Sequence, residues 1–153
     1  MASKKKSRLD NPFKSRRELD ERKQNTRTEH KVVDEKPLIV FSFKDFDDSQ
    51  CPPGQTFKQW EKDGLLSDLF TKLVDLSSKN RIEAEQQKVV KIYGDWPQEH
   101  TDFKVPDHIQ GEVDWGTLQR IGGQKARIAG FMVDNVFYIV FLDKEHKFYK
   151  SEK

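Results

Sequence analysis

The chain has 153 residues, 35% of them charged and 34% hydrophobic, which fits one domain with a sizeable core plus a segment too polar to join it. Its net charge of +2 is unevenly divided: residues 1–36 carry 12 Lys/Arg against 7 Asp/Glu, and residues 37–153 carry 16 against 19. The single cysteine, Cys51, excludes an internal disulfide, and the longest apolar run, Val136–Leu142, is far too short to cross a bilayer. No apolar segment follows the N-terminal lysines as it would in a secretory signal, so a cytoplasmic protein with no membrane partner is expected.

Met1–Lys36 has few apolar residues beyond Leu9, Phe13, Leu19, Val32 and Val33. It buries too little surface to offset its ordering entropy, and disorder or a transient helix is expected. Lys4, Lys5, Lys6, Arg16 and Arg17 fit electrostatic attraction to nucleic acid. With acids interspersed among them, they fit a solubilising tail as well.

Pro37 opens the folded domain, expected over residues 37–153, and Leu38–Phe43 predicts its first strand. Lys44–Gly54 reads as a loop. Its Asp45, Asp47 and Asp48 invite a metal, but they lack the spacing and terminal glutamate of a calcium loop. Thr56 and Gln59 form a capping box for a short helix that Gly64 stops. Leu65, Leu66, Leu69, Phe70, Leu73 and Leu76 then predict a second helix with a broad core-facing stripe. Asn80 caps a further turn or two to Gln87, and Lys88–Tyr93 predicts a strand.

Gly94–Gly111 reads as irregular. Its His100, Asp102 and His108 offer a weak metal set, with surface loop residues the plainer reading. Asp114 predicts a cap for a helix over Trp115–Arg120, ended by Gly122-Gly123. The last stretch is the most informative. Lys125–Val133 and Val136–Leu142 are β-rich apolar runs separated only by Asp134-Asn135, which predicts a hairpin. Its register would set Val133 against Val136, Phe131 against Tyr138, Ala129 against Val140 and Arg127 against Leu142. Val136–Leu142 is apolar on both faces and should be covered on both.

Beyond Leu142 the chain turns polar, and Arg127 lies at the same end of the hairpin as His146 and Tyr149. No P-loop, GxGxxG, CxxC or HExxH motif is present, so no nucleotide, dinucleotide or zinc cofactor is implied.

The order strand, two helices, strand, hairpin and polar tail resembles the RelE/ParE-type bacterial toxin superfamily. The residues that carry the likeness are Leu118-x-x-Ile121-Gly122-Gly123 ahead of Arg127, then His146 and Tyr149 at the end. The resemblance implies an α+β fold: an antiparallel sheet with a C-terminal hairpin, packed by two N-terminal helices. It implies an mRNA endonuclease that works with the ribosome, and an antitoxin partner, although some members inhibit gyrase or have lost activity. By position, catalysis would fall to Arg127, His146 and Tyr149, with Lys125, Lys147 and Lys150 as auxiliary RNA-binding cations.

The residue types suit that chemistry on their own. Metal-independent RNA cleavage needs a base for the 2′-hydroxyl, an acid for the departing 5′-oxygen and a cation for the phosphorane. His146 titrates near neutrality, Arg127 can hold two phosphate oxygens, and Tyr149 can serve as the partner if lysines depress its pKa. The plainer structural reading pairs Arg127 with Asp143 and leaves His146 exposed at a strand end. Two other functions remain open. One is a non-catalytic interaction module that uses the sheet surface and the basic tail, with Trp60, Trp96 or Trp115 as anchors. The other is a metal-dependent nuclease built from Asp45, Asp47, Asp102 and Asp143.

Overall fold

A computed structural model describes residues 36–151. The expectations for residues 1–35, including the cations Lys4, Lys5, Lys6, Arg16 and Arg17, lie outside the described residues. Five strands and three helices follow in order. They are β1 (Val40–Ser42), α1 (Phe57–Lys62), α2 (Leu65–Leu76), α3 (Arg81–Gln86), β2 (Val90–Gly94), β3 (Asp114–Leu118), β4 (Arg127–Val133) and β5 (Val136–Asp143).

The fold class is α+β, and the sheet order is β1-β5-β4-β3-β2. The sheet is mixed rather than antiparallel, because β1 lies parallel to β5 at one edge while the other pairs are antiparallel. A strand's apolar pattern records which faces it buries but not its direction, so sequence could not supply this. Local hydrogen bonds fix the arrangement: the Val40 N–H donates to the Asn135 carbonyl (3.0 Å), and the Asn135 side chain donates to the Leu38 carbonyl (2.8 Å). Among the described residues the helices number three rather than two, and all of them follow β1.

Helix starts follow side-chain chemistry. Thr56 accepts from the Gln59 N–H while the Gln59 side chain accepts from the Thr56 N–H, and Asn80 accepts from the Glu83 N–H. Leu69, Leu73 and Leu76 of α2 are buried against the sheet, with Leu65 and Leu66 partly so. Phe70 departs from the expected stripe: it is 53% exposed, and Val74 one turn on is 74% exposed.

Asp114–Leu118 is a strand, not the expected helix. Its five residues pair with β4 on one side and β2 on the other. Two-sided sheet pairing outweighs the weak capping signal of Asp114, and Gly116 suits a strand crowded by its neighbours. A Cβ there would meet the Lys91 carbonyl oxygen at 2.6 Å.

Between β4 and β5 the turn is Asp134-Asn135, where Asp134 has φ 53°. Val133 pairs with Val136 and Phe131 with Tyr138, but Gly130 then pairs with Ile139 and Ala129 with Phe141. The extra residue, Val140, makes a β-bulge, so Arg127 faces Asp143 instead of Leu142. Gly130 permits this. A Cβ built on it would lie 1.9 Å from the Tyr138 carbonyl oxygen, so Gly130→Ala should destabilise the fold by about 1–3 kcal/mol. Chemical denaturation of the two proteins would measure that loss.

Both faces of the sheet are covered. Toward the helices lie Val90, Leu118, Ile128, Met132, Phe137, Ile139 and Leu142. Toward the other side lie Trp115, Ala129, Phe131, Val140 and Phe141, capped by Trp96, Phe103, Ile109 and Val113 of the long β2–β3 connection and by Phe148 of the tail. Trp60 and Trp115 are buried core. Among the described residues, no helix is long and apolar enough to cross a membrane.

Candidate functional site

Strand alternation assembles the site. Val90, Leu118, Ile128 and Leu142 point to the helices, so Lys91, Thr117, Arg127 and Asp143 share the opposite face: Arg127 pairs with Asp143 at the end where β5 stops, and Lys91 pairs with Thr117 in the row of Ala129, two residues further in. Tyr93 joins them from β2. It is the unpaired residue of a second bulge, between Ile92, which pairs with Gly116, and Gly94, which pairs with Trp115.

Asp143 organises the polar exit. It is fully buried, and its two oxygens accept the Lys147 N–H at 2.8 Å and the Phe148 N–H at 2.9 Å. Burial nonetheless pushes its pKa up, opposed by those two N–H groups and by Arg127 and Lys147. The closed turn carries His146 at its apex with φ 57°, a left-handed conformation that a non-glycine residue takes only when its surroundings enforce it.

Beyond the turn the tail is pinned. Phe148 is fully buried, and the Tyr149 ring stacks on Tyr93 (centroids 4.0 Å apart, 5° between planes) and on His100 (4.9 Å, 14°). The Lys150 N–H donates to the His100 carbonyl, and the Asp102 N–H donates to the Lys147 carbonyl.

Arg127 is half-buried. Its Nη1 donates to the main-chain carbonyls of Gln124 and Ala126, while its Nε is buried without a partner. Desolvation draws its pKa down from the usual arginine value, and Tyr93 and Asp143 oppose that shift. Asp143 faces Arg127 in register, yet its short contacts are main-chain N–H groups. The simple ion pair weighed from sequence is therefore not the whole role of either residue.

His146 is half-buried, and its pKa is held below the ordinary 6.5, first by desolvation and then by Arg127, Lys91 and Lys125. Near neutral pH the imidazole is therefore neutral and able to accept a proton. Tyr93 is shifted the other way. Burial raises its phenol above 10.0 and keeps it protonated, while Thr117 and Arg127 favour the phenolate.

The three residues singled out from sequence occupy one region without lining one cleft. Tyr149 lines a groove of about 640 Å³ with Tyr93, Asp95, Trp96, Pro97 and His100, a size usual for small-ligand sites. Arg127 and His146 do not line it, and the Arg127 charge acts on His146 instead. Tyr93 connects the two parts, since it feels Arg127 and also stacks on Tyr149.

The auxiliary lysines are mostly committed to ion pairs: Lys125 to Glu145 and Lys150 to Asp102, with Lys147 exposed. Sequence reasoning missed Tyr93 and Lys91, whose ammonium lies 5.3 Å from the Tyr93 ring centroid. The available signal was Tyr93-Gly94 at a strand end, where glycine suggests a bulge.

The aspartates proposed for a metal are not gathered: Asp102 pairs with Lys150, Asp47 accepts from Ser49, and both oxygens of Asp143 are used inside the turn. His100 stacks on Tyr149, and His108 contacts the Asp45 carbonyl. Among the described residues, no three His, Cys, Asp or Glu side chains stand together as a metal site. Comparison with protein-family models, curated proteins and solved structures finds no match.

Proposed function

We propose that this chain is an endoribonuclease that cleaves RNA without a metal ion, as the resemblance to RelE/ParE-type toxins implies. The observation that carries the reading is that Arg127 pairs with Asp143 at the end of β5 and Asp143 closes the turn that carries His146, with burial and the Arg127 charge lowering the His146 pKa. His146 then supplies a base for the 2′-hydroxyl and Arg127 a cation for the phosphorane. The Tyr93 phenol, kept protonated by burial and within the influence of the Arg127 charge, completes the set of groups that the reaction requires. On this reading the substrate is mRNA, free or on the ribosome, and an antitoxin protein restrains the activity in a bacterial cytoplasm.

The test is incubation of purified protein with RNA, with and without EDTA and with and without ribosomes. The expected products carry 2′,3′-cyclic phosphate and 5′-hydroxyl ends and form equally in chelator. Loss of cleavage in EDTA would contradict the reading.

One observation favours the interaction module as a second reading. Phe70 and Val74 leave an apolar strip on the outer side of α2, and Val40 and Phe43 are 53% and 41% exposed at the β1 edge. RNA binding with a steep salt dependence and no cleavage would support that alternative.

A further inference from the structure

We propose that Tyr93, rather than Tyr149, gives the proton to the leaving 5′-oxygen, an assignment that rests on the endoribonuclease reading. Four observations place it there. Tyr93 is the extra residue of the β2 bulge, a device that re-aims a side chain out of the pleat. It stands on the sheet face that also carries Arg127, whose guanidinium is electrostatically coupled to the Tyr93 phenol. The Lys91 ammonium lies over its ring and the Thr117 hydroxyl beside its oxygen, so a phenolate formed there meets two cations and a donor, against burial and the more distant charge of Asp143. Tyr149, by contrast, is stacked between Tyr93 and His100. It is a positioning residue that holds the Tyr93 ring at its bulge.

The reaction balances as a transesterification. His146 takes the 2′-hydroxyl proton as that oxygen bonds to phosphorus, and Arg127 faces the charge that builds on the phosphorane. The bond from phosphorus to the 5′-oxygen breaks as Tyr93 protonates that oxygen. The products are a 2′,3′-cyclic phosphate and a 5′-hydroxyl. Proton transfer through solvent from the imidazolium to the phenolate then resets both groups, with no oxidant, reductant or further reactant.

A leaving group that needs no proton isolates the donor. The full chain is given an RNA oligonucleotide in which the position cut by the wild type carries either the normal 5′-oxygen or a bridging 5′-sulfur, which departs readily as thiolate. Tyr93→Phe should slow the oxygen ester ~10²–10⁴-fold yet cut the sulfur ester within about threefold of wild type, because only the first needs the acid. Tyr149→Phe, which keeps the stacked ring, should slow the oxygen ester far less than Tyr93→Phe does. Thermal melting of each variant separates lost chemistry from lost fold, and Tyr93→His, which restores a proton donor, should recover part of the oxygen-ester rate. Equal slowing of both esters by a folded Tyr93→Phe, or no slowing of either, would overturn the assignment. A wild-type protein that cuts neither ester, with or without ribosomes, would instead remove the nuclease reading itself.

Discussion

Arg127→Ala and His146→Ala should each reduce RNA cleavage by ~10²–10⁴-fold, the usual worth of a positioned base or of a donor to a developing anion. The two losses should be far from additive, because both groups act on one phosphorane and the Arg127 charge helps to lower the His146 pKa. Stability should respond differently. His146 sits in a surface turn closed by main-chain bonds to Asp143, so its removal should leave the melting transition nearly unchanged. Arg127 is half-buried with an unpartnered Nε, so truncation relieves one unsatisfied group while losing the packing of its stem. Arg127→Lys keeps a charge but not the planar fork, and it should recover little of the rate. Quenched-flow cleavage together with calorimetry on the same preparations would check the pattern. Full activity in both alanine variants would remove the proposed site.

Asp143→Ala should be the most damaging single change to the tail. It removes two charge-assisted hydrogen bonds of 2.8 and 2.9 Å and leaves the Lys147 and Phe148 N–H groups to find other partners. Hydrogen bonds to charged groups contribute about 1.5–3 kcal/mol each. Relief of the carboxylate's own burial offsets part of this, so a net loss of about 2–4 kcal/mol is expected.

The pH dependence has a defined sign. The Asp143 pKa is raised in the folded state. Its contribution to stability is therefore fully present below the unfolded value near 3.8 and declines as pH rises through the folded value. Asp143→Asn should remove that slope while keeping one acceptor. Denaturant titrations over a pH series would reveal it. Because the same turn presents His146, Asp143→Ala should also lower activity in the protein that remains folded.

Sequence carried the local chemistry well. The Thr56–Gln59 box, the Asn80 cap and the Asp134-Asn135 turn depend on neighbours a few residues apart, and each has a distinctive side-chain signature. Strand direction and the bulges depend on distant partners. Gly130 was the visible clue to a bulge, and without it Arg127 was set against Leu142 when it faces Asp143.

Trp115–Arg120 reads as helical because Asp114 and Gly122-Gly123 imitate helix ends, whereas pairing on both sides makes Asp114–Leu118 a strand. The cover on the second face was unreadable for another reason. Trp96, Phe103, Ile109 and Val113 come from an irregular stretch with no period to follow. For the site, Arg127, His146 and Tyr149 were legible as chemical types in a polar exit. Tyr93 was not, since its meaning lies in a stack with a residue 56 positions later.

The pH–rate profile of RNA cleavage by the full chain in EDTA tests the neutral imidazole beside Arg127 most directly. An acid limb is expected with its midpoint below 6.5, the ordinary histidine value, because desolvation and the neighbouring cations hold His146 unprotonated to lower pH. That limb should vanish from whatever residual rate His146→Ala retains. A limb at or above 6.5, one that survives in His146→Ala, or no cleavage at any pH would contradict it.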